Sequence, residues 1–333
     1  MPPFDAIRDA IARHSSFYIT THVGPDGDAI GPALALQFAL QAMGKRAVYV
    51  SRDGVPHSSR FLPGADGVEL DVPIGTRFDC AFVLDCDGTP GRVASRYEPI
   101  ETASQRILID HHRTSQPIFE VNWIDPNQPA TAQMIYELLV ALDIPITSDM
   151  AVALLTGLSC DTGHFRFPNT SPASLKAAAH LVEAGADVSL VAFKQFDERS
   201  FSSNKLLGVA MLQSQSEHDG ELIYTAISSR DFQSLGTGDE SSENIVNFLR
   251  NVRGARMALC LRERRDESGP HARISVRSEE SLRADLFCNE FGGGGHAAAA
   301  GCRQSGEFGA IVDKVIRRAK QWLDEEHPAL PSE

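Results

Sequence analysis

Three short stretches in the first third of the chain constrain what it can fold into. Phe17-Tyr18-Ile19-Thr20-Thr21, Cys80-Ala81-Phe82-Val83-Leu84 and Arg106-Ile107-Leu108-Ile109 are apolar or β-prone over nearly their whole length. Helix-like segments separate them, and strands that alternate with helices argue for a parallel sheet covered by helices on both faces. Each stretch stops at ionisable residues. The first runs into His22-Val23-Gly24-Pro25-Asp26-Gly27-Asp28, the second ends at Asp85, and the third at Asp110-His111-His112. In an open α/β sheet, ligands bind just beyond the carboxyl ends of the strands.

The rest of the amino-terminal half fits this scheme. Arg46-Ala47-Val48-Tyr49-Val50 reads as a further strand, and Ile30, Leu34 and Phe38 mark one apolar face of a helix after the first acidic loop. Residues 130–142 and 150–160 read as helices, and the second runs directly into Asp161-Thr162-Gly163. Helical patterns at 171–184 and 201–215 flank a less regular segment at 186–200, where a hinge would fit. Beyond it the order changes to strand-like runs at 222–228, 257–261 and 272–277, a glycine tract, and an amphipathic helix at 308–323. A chain of 333 residues exceeds the usual size of one domain. The expected division is a catalytic α/β domain at 1–186, a helical linker at 187–216, a smaller mixed α/β domain at 217–326 and a frayed tail at 327–333.

A net charge of −13 argues against a protein that coats long nucleic acid by counterion release. It leaves room for a small polyanion held by metals and a local basic patch. No run approaches a membrane span and no basic-then-apolar leader opens the chain, so a cytoplasmic protein is expected. The six cysteines form no CxxC pair and mostly sit in apolar runs, as small buried hydrophobes do.

Taken singly, each acid at a strand or helix end could be a helix cap or a turn former. Together, Asp26, Asp28, Asp85 and Asp161 would repel strongly in one crevice unless cations were present. Their four negative charges are neutralised by two divalent ions, a standard arrangement for phosphate-ester hydrolysis. Carboxylates mixed with imidazole suit manganese, iron or zinc.

The motifs THVGPDGDAIG, VLDCDG, DHH at 110–112 and CDTGHFRFPNT resemble those of the DHH phosphoesterase superfamily. The tract GGGGHAAAAG at 292–301 is similar to the signature of the DHH-associated domain that follows in one branch. The resemblance spans residues 15 to 322, and the nearest type is the bacterial nano-RNases that also act as phosphatases on 3'-phosphoadenosine 5'-phosphate. It implies one metal on His22, Asp26 and Asp85, a second on Asp28, Asp85, His111 and Asp161, and manganese as the usual ion. It implies that His112 bonds the scissile phosphate or protonates the leaving oxygen beside Asp85 and His111, with Asp110 orienting an imidazole. Asp87 has no such role and reads as a turn residue.

In the second domain, four glycines let a backbone approach a ligand closely, and their amides can cradle an anion; the tract could equally be a close-packed turn. The resemblance implies that Gly293, Gly294, Gly295, His296 and Arg277 contact substrate. Ala297-Ala298 stand where the family often has Pro, Arg or Asn. Between 246 and 283, nine arginines face five acids, a basic island in an acidic chain. The resemblance implies hydrolysis of short oligoribonucleotides to nucleoside monophosphates and of 3'-phosphoadenosine 5'-phosphate to AMP, with short single-stranded RNA (or DNA) oligomers and small nucleotides as partners. The smaller domain is expected to close over a cleft, and the resemblance implies a homodimer. Rivals within the enzyme class are a phosphodiesterase for cyclic dinucleotides or their linear products and a longer-strand exonuclease, which size and acidity disfavour. An inorganic pyrophosphatase shares the metal-binding motifs, but the glycine-histidine tract argues against it. The rival outside that class is a nucleotide-binding regulator with a decayed metal site, which the intact ligand set disfavours.

Overall fold

The computed structural model describes residues 2–242, 244–267 and 269–325, and the tail expected at 327–333 lies outside them. The chain forms two compact units, Met1–Glu198 and Arg199–Glu333.

The first unit is built on a five-stranded, all-parallel sheet of order β2-β1-β3-β4-β5. Its elements are α1 (Phe4–Arg13), β1 (Ser16–Thr20), α2 (Gly27–Ala42), β2 (Arg46–Val50), β3 (Cys80–Leu84), α3 (Glu98–Glu101), β4 (Gln105–Asp110) and β5 (Val121–Ile124). Then come α4 (Thr131–Ala141), α5 (Ser148–Asp161), α6 (Pro172–Glu183) and α7 (Val188–Ala192), which passes into a π-helical turn at Phe193–Asp197. The central strands are buried on both faces, which is why they read as unbroken apolar runs. Phe17, Ile19, Phe82 and Ile107 face a core supplied by α1, α2, α4 and α5. Tyr18, Val83 and Leu108 face a second, smaller core closed by α3 and the irregular chain around Val72, Phe78 and Val93. The strand order reverses between β1 and β3, so the crevice beyond their carboxyl ends is the topological switch point of the sheet.

Helices α2 and α5 cross at unusually short range. A Cβ on Gly31 would lie 2.2 Å from the Ala153 carbonyl oxygen, closer than any side chain tolerates. Small residues at this crossing bring the amino end of α2 and the carboxyl end of α5 together.

The second unit holds a six-stranded mixed sheet of order β10-β11-β9-β8-β7-β6. It comprises α8 (Phe201–Leu212), β6 (Gln215–Glu217), β7 (Leu222–Ile227), α9 (Ser229–Leu235), α10 (Ile245–Arg250), β8 (Met257–Asp266) and β9 (Gly269–Ser278). It ends with α11 (Ala284–Asn289), β10 (Gly294–His296), β11 (Ala299–Ser305) and α12 (Phe308–Asp324). Among the described residues, only the β7–β8 pair of this sheet is parallel. One face packs on α11 and α12 through Phe287, Val315 and Trp322, the other on α8, α9 and α10 through Leu206, Phe232 and Leu249. Among the described residues, no helix is long and apolar enough to cross a membrane.

The α2–α5 crossing makes a prediction. Gly31→Ala forces the helices apart and should lower unfolding stability by about 2 kcal/mol or more, the usual cost of overpacking a filled core. Urea denaturation followed by far-UV circular dichroism checks it; a midpoint within error of the parent protein would show that the crossing yields freely.

Candidate metal centre

Sterics and caps place each candidate side chain. Two residues beyond β1, the His22 ring donates its Nδ1–H to the carbonyl of Val23 at 2.9 Å. That leaves Nε2 facing Asp85 Oδ2 at 3.3 Å and Asp26 Oδ1 at 3.9 Å. Asp26 is the N-cap of α2, its Oδ1 accepting from the backbone N–H groups of Asp28 at 2.9 Å and Ala29 at 3.2 Å. Asp85 follows β3 with φ of 60°, a left-handed conformation that Asp adopts more readily than most residues. This turn swings its carboxylate between two imidazoles, because Oδ1 lies 3.5 Å from His111 Nε2.

His111 follows β4, and its Nδ1–H points at the Gln128 carbonyl, 3.2 Å away. Its Nε2 therefore faces Asp161 Oδ2 at 3.2 Å, Asp85 Oδ1 at 3.5 Å and Asp28 Oδ2 at 3.8 Å. Asp161 is the last residue of α5. Asp28 is 1% exposed and accepts the backbone N–H groups of Thr131 at 2.6 Å and Ala132 at 2.9 Å, the first two residues of α4. His112 donates Nδ1–H to Asp110 Oδ1 at 2.7 Å, and the Ser115 hydroxyl donates to the other oxygen of that fully buried carboxylate. Asp87 accepts from the backbone and hydroxyl of Thr89, forming an ordinary turn.

The structure thus brings His22, Asp26, Asp28, Asp85, His111, His112 and Asp161 into one crevice. Three ligand atoms fall within 4.8 Å of one another in each of the sets His22–Asp26–Asp85, Asp28–His111–Asp161 and Asp85–His111–His112. A further set adds Cys160 to Asp26 and Asp161. That thiol is only partly buried, whereas its apolar sequence neighbours suggested a core hydrophobe.

The charges in the crevice are mutually dependent. Burial works against a charged His22, but the carboxylates of Asp26 and Asp85 push its pKa up to about 11. Burial likewise disfavours the His111 and His112 cations, and their Asp161 and Asp110 partners more than offset this, so both are raised. Burial, with the charges of Asp161 and Asp85, holds Asp28 well above the usual carboxylate range. Burial and Asp26 carry Asp161 to about 6, against the pull of His111. Desolvation works against the Asp26 and Asp110 anions too, but His22 and His112 keep them below the usual range. Protons here hold the place that cations would take. An oxygen-rich set with imidazoles, which draws protons to offset its carboxylates, fits divalent metal.

The remaining predicted residues lie in the second unit. Arg277 sits in β9, paired with Ala299 of β11 and Ala258 of β8. Burial first, then the nearby Arg262 cation, lowers its pKa. Gly294, Gly295 and His296 form the exposed edge strand β10. Gly293 and Gly295 are packed tightly: an added Cβ would lie 2.1 Å from the Gly301 carbonyl oxygen at the first and 2.5 Å from that of Ala299 at the second. Sequence reasoning did not single out Thr131, which bonds Asp28 through its backbone and Asp85 through its hydroxyl, or Ser115, whose hydroxyl bonds Asp110.

A parallel sheet with acids and histidines at its switch point, followed by a smaller mixed domain, defines a class: a two-domain phosphoesterase. Residues 16–158 match the DHH family N-terminal domain and residues 219–325 match the DHHA1 domain. The chain is 36% identical to the bifunctional oligoribonuclease and PAP phosphatase NrnA of Thermus thermophilus over 309 residues, 92% of this chain and 90% of that protein. The chain belongs to the DHH family of phosphoesterases, hydrolases of phosphoester bonds. Its fold is that of an exopolyphosphatase-related protein from Bacteroides fragilis, with a TM-score of 0.88, 22% identity and 97% of each chain covered. It is shared more loosely with exonuclease RecJ bound to manganese, with a TM-score of 0.52, 14% identity and 98% and 94% of the two chains covered.

The electrostatics predict an unusual pH response for the metal-free protein. The raised pKa of His22 contributes stability that is fully present below its ordinary value of 6.5 and drains away as pH rises towards about 11. Asp161 has the same sign: its native carboxyl keeps a proton that the unfolded chain releases, so its contribution is lost between the ordinary 3.8 and about 6. The denaturation midpoint in chelator should therefore fall as pH is raised from about 5 to about 9, and His22→Ala should flatten the upper part of that fall. A midpoint that climbs over this range would contradict the charge assignment.

Proposed function

We propose that this protein is a divalent-metal-dependent phosphoesterase that hydrolyses short oligoribonucleotides to nucleoside monophosphates and 3'-phosphoadenosine 5'-phosphate to AMP. The observation that carries the reading is the crevice itself, a ring of carboxylates and imidazoles around Asp85 with the oriented His112 beside it. The activity named for the Thermus thermophilus relative supports the substrate class.

His22, Asp26 and Asp85 would hold one ion, and Asp28, Asp85, His111 and Asp161 the second. Manganese is the preferred candidate, as in the RecJ structure bound to it. When bound, such ions supply Lewis acidity towards the phosphoryl oxygens and make water a competent nucleophile at neutral pH. The chain's own residues do the rest. Asp85 offers one carboxylate oxygen to the side of His22 and the other to the side of His111, which suits a shared ligand. His112 commits Nδ1–H to Asp110, so its Nε2 is the atom that exchanges a proton with substrate. Against burial, the Asp110 carboxylate raises its pKa and so favours the protonated imidazole, the state needed to give a proton to the leaving oxygen as the P–O bond breaks. Asp110, fixed by Ser115, stabilises that cation.

Arg277 suits a substrate phosphate. A half-buried guanidinium with another cation close by gains from an anion, and its planar fork matches phosphate oxygens. Exposed Gly294, Gly295 and His296 would approach the terminal nucleotide.

Metal-stripped protein with manganese restored should degrade two- to five-nucleotide RNA and release AMP from 3'-phosphoadenosine 5'-phosphate. Turnover of a cyclic dinucleotide alone, offered alongside, would move the protein to the signalling branch of the family. Asp85→Ala should abolish turnover even with excess manganese, and retained activity would sink the shared-ligand assignment. Arg277→Ala should lower kcat/KM on the short RNA by roughly 10- to 100-fold, as loss of a charge-assisted hydrogen bond does. Metal uptake by that variant should be unchanged, and unaltered kinetics would remove Arg277 from the substrate site.

A further inference from the structure

Helix α4 begins without a cap of its own. Its N-cap residue is Ala130, which has no side-chain oxygen to offer the first N–H groups. Those groups, on Thr131 and Ala132, turn instead to the carboxylate of Asp28, more than a hundred residues earlier in the chain. Both Asp28 oxygens are engaged, one by each N–H. The Thr131 hydroxyl points the other way and donates to Asp85 Oδ1 at 2.9 Å. One fully buried residue thus bonds two of the crevice's carboxylates, through its backbone to Asp28 and through its side chain to Asp85.

Nothing in this arrangement has slack. Beside this contact α5 presents Gly157, where a Cβ would come within 2.8 Å of Asp28 Oδ1 and 2.7 Å of the Ala132 side chain. Asp28 thus packs against both the start of α4 and the bare backbone of α5. A β-branched side chain has few open rotamers, and the bond to Asp85 selects one for Thr131. Two carboxylates in a buried crevice repel, and the bonds from Thr131 oppose that repulsion at fixed spacing.

We propose that Thr131 is a positioning residue of the metal centre: its two bonds, to Asp28 and to Asp85, preset the separation of these carboxylates and so favour uptake of metal by the crevice. The proposal rests on the metal-centre reading above. Thr131 touches neither substrate nor metal in this role. It acts through the carboxylates, and outer partners of this kind typically govern affinity by about 10- to 100-fold.

The test is a manganese titration of the metal-stripped full-length protein, read by the loss of the free-ion paramagnetic resonance signal and by calorimetry. Thr131→Val removes the hydroxyl while keeping the shape, and Thr131→Ser keeps the hydroxyl. Apo thermal midpoints in chelator are measured first for both. The expected result is two ions bound by the parent protein and by Thr131→Ser with similar affinity. Thr131→Val, still folding cooperatively, should bind at least one ion about 10-fold or more weakly. Where the valine variant does not fold, Thr131→Ala against Thr131→Ser carries the same comparison. Unchanged uptake by the hydroxyl-free variant, or equal weakening in the serine variant, overturns the proposal alone. A parent protein that takes up no manganese overturns the metal-centre reading and this proposal with it.

Discussion

Mutual repulsion among buried carboxylates is the constraint around which the first unit is arranged. Asp28, Asp85 and Asp110 are each at most 3% exposed, and Asp161 lies on the same crevice. Ionised groups so placed destabilise the fold unless something compensates them. The chain meets the demand in three ways. Backbone N–H groups at the starts of α2 and α4 face Asp26 and Asp28, imidazoles face every carboxylate of the ring, and Asp28 and Asp161 hold protons more firmly than a free carboxyl would. Divalent cations would displace those protons and satisfy the same charges more fully.

That electrostatic demand dictates packing well away from the acids. The crevice closes only if α2, α4 and α5 converge on it, and they do so through absent side chains. Gly31 lets α2 touch the backbone of α5, Gly157 makes room for Asp28, and Gly27 sits against Cys160 and Gln195. Each glycine costs helix propensity, a loss that the apolar core around Ile30, Leu34, Leu154 and Leu158 offsets. The helices are therefore set by the site as much as by the core.

Much of this was legible in the sequence, for a physical reason. Strands buried on both faces are unbroken apolar runs, so Cys80–Leu84 announces itself, and the acid at its end is conspicuous against that background. The edge strand Val121–Ile124 is four residues long with alternating burial, and it gave no such signal. Helix α1 carries Ile7, Ala10 and Ile11 at helical spacing but was overshadowed by the loop that follows β1. The hairpin at Gly294–His296 and Ala299–Ser305 was hidden because glycine and alanine are poor strand formers, and register with β9 rather than propensity makes it a strand. Thr131 and Ser115 were invisible for another reason. A hydroxyl residue carries no pattern, and Thr131 finds its partners 46 and 103 positions away.

The residues that were hardest to weigh from sequence are those in which structural and chemical roles coincide. Asp26 could be read as a helix cap or as a ligand; it is the cap of α2, and the same hydrogen bonds turn its carboxylate towards His22. Asp28 caps a distant helix while facing His111. The glycine tract repeats the logic in the second unit. Gly293 and Gly295 are needed because neighbouring carbonyl oxygens press on them, and that close packing is what leaves Gly294 and His296 on an open strand edge. A cap or a tight turn is a way of fixing a polar group in one direction at little entropic cost, which is what a binding site requires. In Asp26 and Asp28 the bonds that start a helix are the bonds that aim the carboxylate, so one set of contacts serves fold and site together.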